Sequence, residues 1–221
     1  MSAPERDDGP RAAMVAEIER HLGPVPDDFR RALLAVDRAR FVRPEDLDRA
    51  YRDTPLALDT PHGDYVATIS APHMYVLQFE ALALSVGDAF LELGTGSGYG
   101  AALAAELVGP AGHVTTVEVD PHLVALARTL DGDLPNVTLL HDDGLARPDL
   151  SASHQKIALT FATEEPPYAL IAAMRPGAVL VAPVGARAEA QRLLRWRRTE
   201  AGHEIDDLGP VRFVPARARI D

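Results

Sequence analysis

Along this chain the spacing of hydrophobic positions changes about a third of the way from the start. Met14, Val15, Ile18 and Leu22 recur at helical spacing, and Phe29, Leu33 and Leu34 repeat it in the next segment. "RPEDLDRAY" (43–51) predicts a third, shorter helix. These pieces can cover a face of a larger body, but they hold too little apolar surface for a core of their own. The opening "MSAPERDDGPR" (1–11) is charged and has no apolar run, which predicts a disordered tail and not a secretory leader. Between Tyr51 and Ser70, prolines and a glycine break the pattern and predict loop.

Beyond Ser70, short apolar runs alternate with helical ones. "SAPHMYVLQFEALAL" (70–84) predicts a helix with Ser70 or a neighbour as its N-cap. "AFLEL" (89–93) reads as a strand, then a glycine-rich turn leads into the helix "GYGAALAAELV" (98–108). "HVTTVEV" (113–119), "NVTLLHDD" (136–143), "KIALTFA" (156–162) and "AVLVAPVG" (178–185) are further strands. The helices "PHLVALARTL" (121–130) and "PYALIAAM" (167–174) separate them. "RLLRWRR" (192–198) and "VRFVP" (211–215) predict a final antiparallel pair, because the twelve residues between them are too few for a crossover helix. The alternation predicts an α/β protein with a mainly parallel, doubly wound sheet of seven strands. Residues 12–66 form an N-terminal helical cap and loop, and 67–221 form the main domain as one structural unit.

The turn "LELGTGSGYG" (91–100) carries the candidate chemistry. In such sheets ligands bind at the carboxyl ends of the strands, beside the first strand. A phosphate loop needs Gly-Lys-Ser/Thr, and no lysine follows Gly98. A dinucleotide fingerprint places its third glycine where Tyr99 stands. Glu92, an acid two positions before Gly94, is badly matched to a pyrophosphate but suits a ligand with an ammonium group. Gly94, Thr95, Gly96, Ser97 and Gly98 form the cradle. Glu118, 20 residues after Gly98 and followed by Val119, is placed to accept the two hydroxyls of a ribose. Asp143, with Gly144 behind it, is placed to accept from an adenine amino group, and Asp142 is its solvated neighbour. Singly, each acid also reads as a helix cap or loop charge. At three successive strand ends they favour S-adenosyl-L-methionine over a nicotinamide dinucleotide.

Composition narrows the classes further. The 221 residues include no cysteine, which removes disulfides, thiolate nucleophiles and cysteine-based zinc sites. His62, His141 and His154 lack metal-ligand spacing, so no metal is expected. A net charge of −11 argues against a nucleic-acid partner, and no apolar window is long enough for a membrane partner. The expected location is the cytoplasm and the expected state a monomer. Arg192, Arg195, Arg197, Arg198, Arg212, Arg217 and Arg219 crowd the tail, which reads as a charge-protected edge or as a patch for an acidic peptide.

The sequence resembles the protein-L-isoaspartate O-methyltransferases. The resemblance is carried by "ATISAPHM" (67–74), "LELGTGSGY" (91–99), "VEVD" (117–120), "DDG" (142–144), "RPGAVLVAPVG" (175–185) and "GPVRFVP" (209–215), and spans about Phe29 to Pro215. It implies a Rossmann-like class I S-adenosylmethionine-dependent methyltransferase fold. It also implies methylation of the free carboxylate of isoaspartyl residues in a protein or peptide. Ser70 matches the family's active-site serine. Ala67, Thr68 and Ile69 match backbone lining the cofactor, and Ser97, Glu118 and Asp143 match its contacts. His73, Ala162, Thr163 and Pro183 match the substrate side, with His73 also read as a capping residue. The sequence departs from the family at "LTFATEEPPYAL" (159–170), where Phe161, Glu164 and Glu165 are bulkier or more acidic than usual. It departs again at Val66, Tyr75 and Gln155. Two alternatives stay open: a carboxylate O-methyltransferase dedicated to an aspartate of a biosynthetic peptide, and a non-catalytic module that binds S-adenosylmethionine. A small-molecule methyltransferase is a minor fourth reading.

Overall fold

The computed structural model describes residues 9–60, 67–130, 134–186 and 188–217. A seven-stranded sheet organises the chain. Its strands are β3 (Ala89–Leu93), β4 (His113–Glu118), β5 (Val137–His141), β6 (Lys156–Leu159), β7 (Val179–Val184), β8 (Gln191–Thr199) and β9 (Gly202–Val211). Their order is β5-β4-β3-β6-β7-β8-β9. The four pairings from β5 to β7 are parallel, and β8 and β9 are antiparallel. Because β3 pairs with both β4 and β6, the chain switches direction at β3, and a crevice opens at its carboxyl end.

Alternation along the strands sorts the core into two layers. Phe90, Val114, Ala158 and Val181 point to one face, where they pack with α1 (Gly9–Leu22), α2 (Asp27–Ala35), α3 (Pro72–Leu82) and α4 (Tyr99–Val108). Leu91, Leu93, Val117, Ile157, Leu159 and Leu180 point to the other and meet Leu170, Ile171 and Met174. These last residues lie in or beside α7 (Tyr168–Ala173), next to α6 (Pro148–Ser153). α5 (Pro121–Leu130) links β4 to β5. Full burial of such a side chain contributes roughly 1.5–3 kcal/mol. Met14, Val15 and Ile18 of α1 share the layer of Phe90, so the N-terminal helices cover the sheet instead of standing apart. Among the described residues no helix is long and apolar enough to cross a membrane.

Four expectations are corrected. The predicted tail ends early: α1 begins at Gly9, and Arg11 donates to the Leu34 carbonyl at 2.5 Å. Residues 1–8 lie outside the described set. The predicted loop 51–70 contains a two-stranded antiparallel ladder of β1 (Leu56–Ala57) and β2 (Thr68–Ile69). The final strand is not "VRFVP", of which β9 includes only Val211. Its connection to β8 shrinks to Glu200-Ala201, because Arg197, Arg195 and Arg192 find cross-strand acids in Glu204, Asp206 and Asp207. Lastly, no side chain at the start of α3 caps it. Asp53, from a remote loop, accepts the His73 N–H at 2.9 Å.

Candidate active site: a cofactor cleft and a substrate groove

The glycine turn runs from the end of β3 to the start of α4. Gly94, Gly96 and Gly98 have φ of 97°, 56° and 89°, values that side chains rarely tolerate. A Cβ on Gly94 would stand 2.3 Å from Thr160 Oγ1 and 2.9 Å from the Phe161 ring. Gly100 has a different reason. There a Cβ would lie 2.2 Å from Glu92 Oε1. The fourth glycine therefore makes room for the acid, which is 1% exposed and accepts the Thr116 hydroxyl at 2.6 Å. Thr116 in turn meets Thr95 at 2.7 Å. Glu92 and Thr95 thus brace the turn from beneath.

A cleft opens above this turn. Of the residues expected at the cofactor, Ala67, Thr68, Gly94, Gly96, Glu118, Val119, Asp143 and Gly144 line it. Ile69, Glu92, Thr95, Ser97 and Gly98 do not. Ile69 is core, Ser97 accepts the Tyr99 N–H at 3.4 Å, and Gly98 is the N-cap position of α4.

Glu118 ends β4, and both its oxygens are engaged by main chain. Oε2 accepts from Gly96 at 2.9 Å, while Oε1 accepts from Val119 at 2.9 Å and Asp120 at 3.0 Å. Burial pushes the carboxyl above its ordinary range, and these three N–H groups only partly offset that rise. Asp143 uses Oδ1 to cap the single turn Gly144–Ala146, accepting from Leu145 at 3.0 Å. The capping reading of this acid is therefore present in the fold, and its position on the cleft wall is present with it. Asp142 also lines the cleft and pairs with Arg147. Phe161 lies against Gly94 and closes one side, whereas Glu164 and Glu165 face solvent.

A second cavity, a groove of about 590 Å³, shares Thr68 of β2 with the cleft. Ser70 and His73 line it; Ala162, Thr163 and Pro183 do not. Ala162 N–H donates to the Val214 carbonyl at 2.8 Å and so anchors the segment after β9, whereas Thr163 N–H donates to the carbonyl of Pro183 in β7 at 3.1 Å. Thr68 and Val214 line both cavities, so one thin wall separates Ser70 from the cofactor cleft.

Several groups here escaped sequence reasoning. Arg217, read as part of a charged tail, lines the cleft and pairs with Asp120 at 2.7 Å. The other tail arginines divide: Arg192, Arg195 and Arg197 are neutralised within the hairpin, Arg212 lines the groove, and Arg219 lies outside the described residues. Asp53, its side chain wholly buried, holds His21 Nδ1 at 2.6 Å and His73 Nδ1 at 3.0 Å. Burial pushes the Asp53 carboxyl up, but the bonds from both imidazoles prevail and hold it below its usual value. No spacing rule pointed to a metal, yet these three residues bring possible ligand atoms within 4.8 Å of one another. Their contacts are at hydrogen-bond distances. His141 ends β5 and His154 follows α6, while His62 lies outside the described residues.

Strand order, glycine turn and strand-end acids together define the S-adenosylmethionine-dependent methyltransferase fold. The chain superposes on a solved protein-L-isoaspartate O-methyltransferase with a TM-score of 0.83 at 24% identity, covering 94% of this chain and 66% of that one. A Plasmodium falciparum structure described as a putative protein-L-isoaspartate O-methyltransferase, in complex with S-adenosyl-L-homocysteine, gives 0.78 at 22% identity, covering 94% and 98%. The protein-L-isoaspartate(D-aspartate) O-methyltransferase family model matches residues 11–221, and the chain belongs to that family. Named relatives include the protein-L-isoaspartate O-methyltransferases of Ignicoccus hospitalis and Anaeromyxobacter dehalogenans strain 2CP-C. The first is 42% identical over 83% of this chain and 86% of its own. The second is 41% identical over 91% and 96%.

Proposed function

We propose that the chain is a protein-L-isoaspartate O-methyltransferase, moving the methyl group of S-adenosyl-L-methionine to the free α-carboxylate of an isoaspartyl residue in a protein or peptide. One observation carries this reading: Ser70, on the groove side, stands two residues beyond Thr68, which with Val214 forms the wall between groove and cleft. A methyl group at that wall meets an acceptor held beside Ser70.

Glu118 would accept from the ribose hydroxyls and Asp143 from the adenine amino group, leaving the methionine part over Gly94 and Gly96. When bound, the sulfonium supplies the electrophilic methyl. The carboxylate oxygen attacks that carbon in line, the carbon–sulfur bond breaks onto sulfur, and S-adenosylhomocysteine and a methyl ester result. No proton moves, so no general base is required. Ser70 orients the acceptor by a hydrogen bond. The rest of catalysis is alignment and exclusion of water, effects that reach many powers of ten in rate. The ester then closes to a succinimide, whose hydrolysis returns part of the damaged residue to normal aspartate.

The test uses two peptides of one sequence, one isoaspartyl and one aspartyl, with labelled cofactor. Base-labile methyl ester on the isoaspartyl peptide alone is expected. Preference for the aspartyl twin would overturn the repair reading in favour of a dedicated peptide-modifying enzyme, and cofactor binding with no turnover on either peptide would make the protein a binding module.

A further inference from the structure

Ser70 sits in a loop, and a serine can orient a carboxylate only if its own main chain is held still. Two buried side chains hold it. Tyr75 Oη accepts the Ser70 N–H at 3.3 Å. From the other side, Arg38 Nη2 donates to the Ser70 carbonyl at 3.1 Å.

Arg38 is 0% exposed, and none of its hydrogen bonds among the described residues goes to a carboxylate. They go to the carbonyls of Ala50 (2.8 Å), Arg52 (3.2 Å), Thr54 (3.0 Å) and Ser70. A buried guanidinium whose hydrogen bonds among the described residues all go to carbonyls is a costly way to staple loops. Its fork, however, fixes the 50–54 loop and Ser70 to one rigid plane.

Both clamping groups rest on Tyr99. The Tyr75 ring meets it edge-on at 5.3 Å, and the Arg38 guanidinium lies 5.8 Å from its centroid. Tyr99 is itself 0% exposed and opens α4 directly after the glycine turn. The residue that spoils the dinucleotide fingerprint thus ties the cofactor turn to the serine loop.

We propose that Arg38 and Tyr75 are positioning residues which grip the Ser70 main chain from both sides and, through Tyr99, lock the serine to the cofactor turn. The inference rests on the reading of Ser70 as the residue that orients the accepting carboxylate.

Tyr75→Phe removes one oxygen and keeps the ring contacts. It is expected to lower kcat on the isoaspartyl peptide about tenfold, as loss of a single positioning hydrogen bond does, with S-adenosylhomocysteine affinity within about twofold of the parent. Arg38→Lys keeps the charge without the fork, and should lose about a hundredfold in kcat but less than Arg38→Met. Hydrogen exchange of the segment around Ser70 should quicken in Tyr75→Phe and Arg38→Lys. Variants that melt earlier yet keep kcat and KM would reduce the clamp to a loop staple and overturn the proposal; if Arg38 variants do not fold, Tyr75→Phe decides alone. Should the parent protein methylate no carboxyl peptide, the functional reading fails separately. Exchange at Ser70 then judges the clamp: faster in Tyr75→Phe supports it, unchanged refutes it.

Discussion

The two cavities on either side of Thr68 are made of different material. The cofactor cleft is lined chiefly at strand ends and the turns after them, concentrated in short runs such as 93–94, 117–119 and 142–145. The substrate groove is gathered from far-apart pieces: the end of α1, Pro55, the start of α3 and the stretch 210–214. The contrast suits the occupants proposed above: a cofactor of constant shape for the cleft, and for the groove a peptide acceptor of varied sequence met by a surface assembled from several elements.

That difference can be attacked from the cleft side first, where the largest effect lies. Gly94→Ala puts a methyl 2.3 Å from Thr160 Oγ1 at a φ of 97°. Strain of about 1–3 kcal/mol is expected from the backbone alone, with the clash added to it. Calorimetry should show S-adenosylhomocysteine affinity falling more than about a hundredfold. Near-parental affinity would mean that the turn does not touch the cofactor.

Glu118→Gln comes next. The amide cannot accept on both arms, and loss of a charged acceptor costs about 1.5–3 kcal/mol, roughly ten- to a hundredfold in affinity. The pH dependence sharpens the assignment. Burial raises the Glu118 pKa above the ordinary 4.5, so as pH falls its carboxylate is protonated earlier than a free glutamate would be. Cofactor affinity should therefore decline from a higher pH than 4.5 in the parent. Asp142 and Asp143 share the cleft, so the measured quantity is the difference between parent and Glu118→Gln. Identical profiles would remove Glu118 from the ribose.

On the groove side, Ser70→Ala should lower kcat about tenfold while leaving S-adenosylhomocysteine affinity within about twofold. Equal loss of both would make Ser70 part of the cofactor loop. The smallest effect is expected far from either cavity. Arg192→Ala breaks an exposed pair with Asp207, worth about 0–1 kcal/mol, and turnover should not move.

What could be read from sequence follows the same division. The sheet, the glycine turn and Glu118 were legible because local spacing dictates them: alternating runs fix strands, and an acid 20 residues past Gly98 falls at the next strand end. The bareness of Gly100, just past the cradle, serves Glu92, a packing relation that spacing does not encode. Asp53 and Arg38 bind through partners 12 to 32 residues away along the chain. No periodicity marks such contacts. The misplaced final strand has a related cause. "TEAGHEIDDLGP" is polar enough to read as a connection, but its acids stand opposite arginines across a hairpin.

The most direct measurement is a crystal structure with S-adenosylhomocysteine and an isoaspartyl peptide bound together. The nucleoside is expected over Gly96 and Glu118, the sulfur at the wall formed by Thr68 and Val214, and the peptide's α-carboxylate beside the Ser70 hydroxyl. A nucleoside outside that cleft, or a carboxylate seated away from Ser70 with the sulfur pointing elsewhere, would contradict the proposed function.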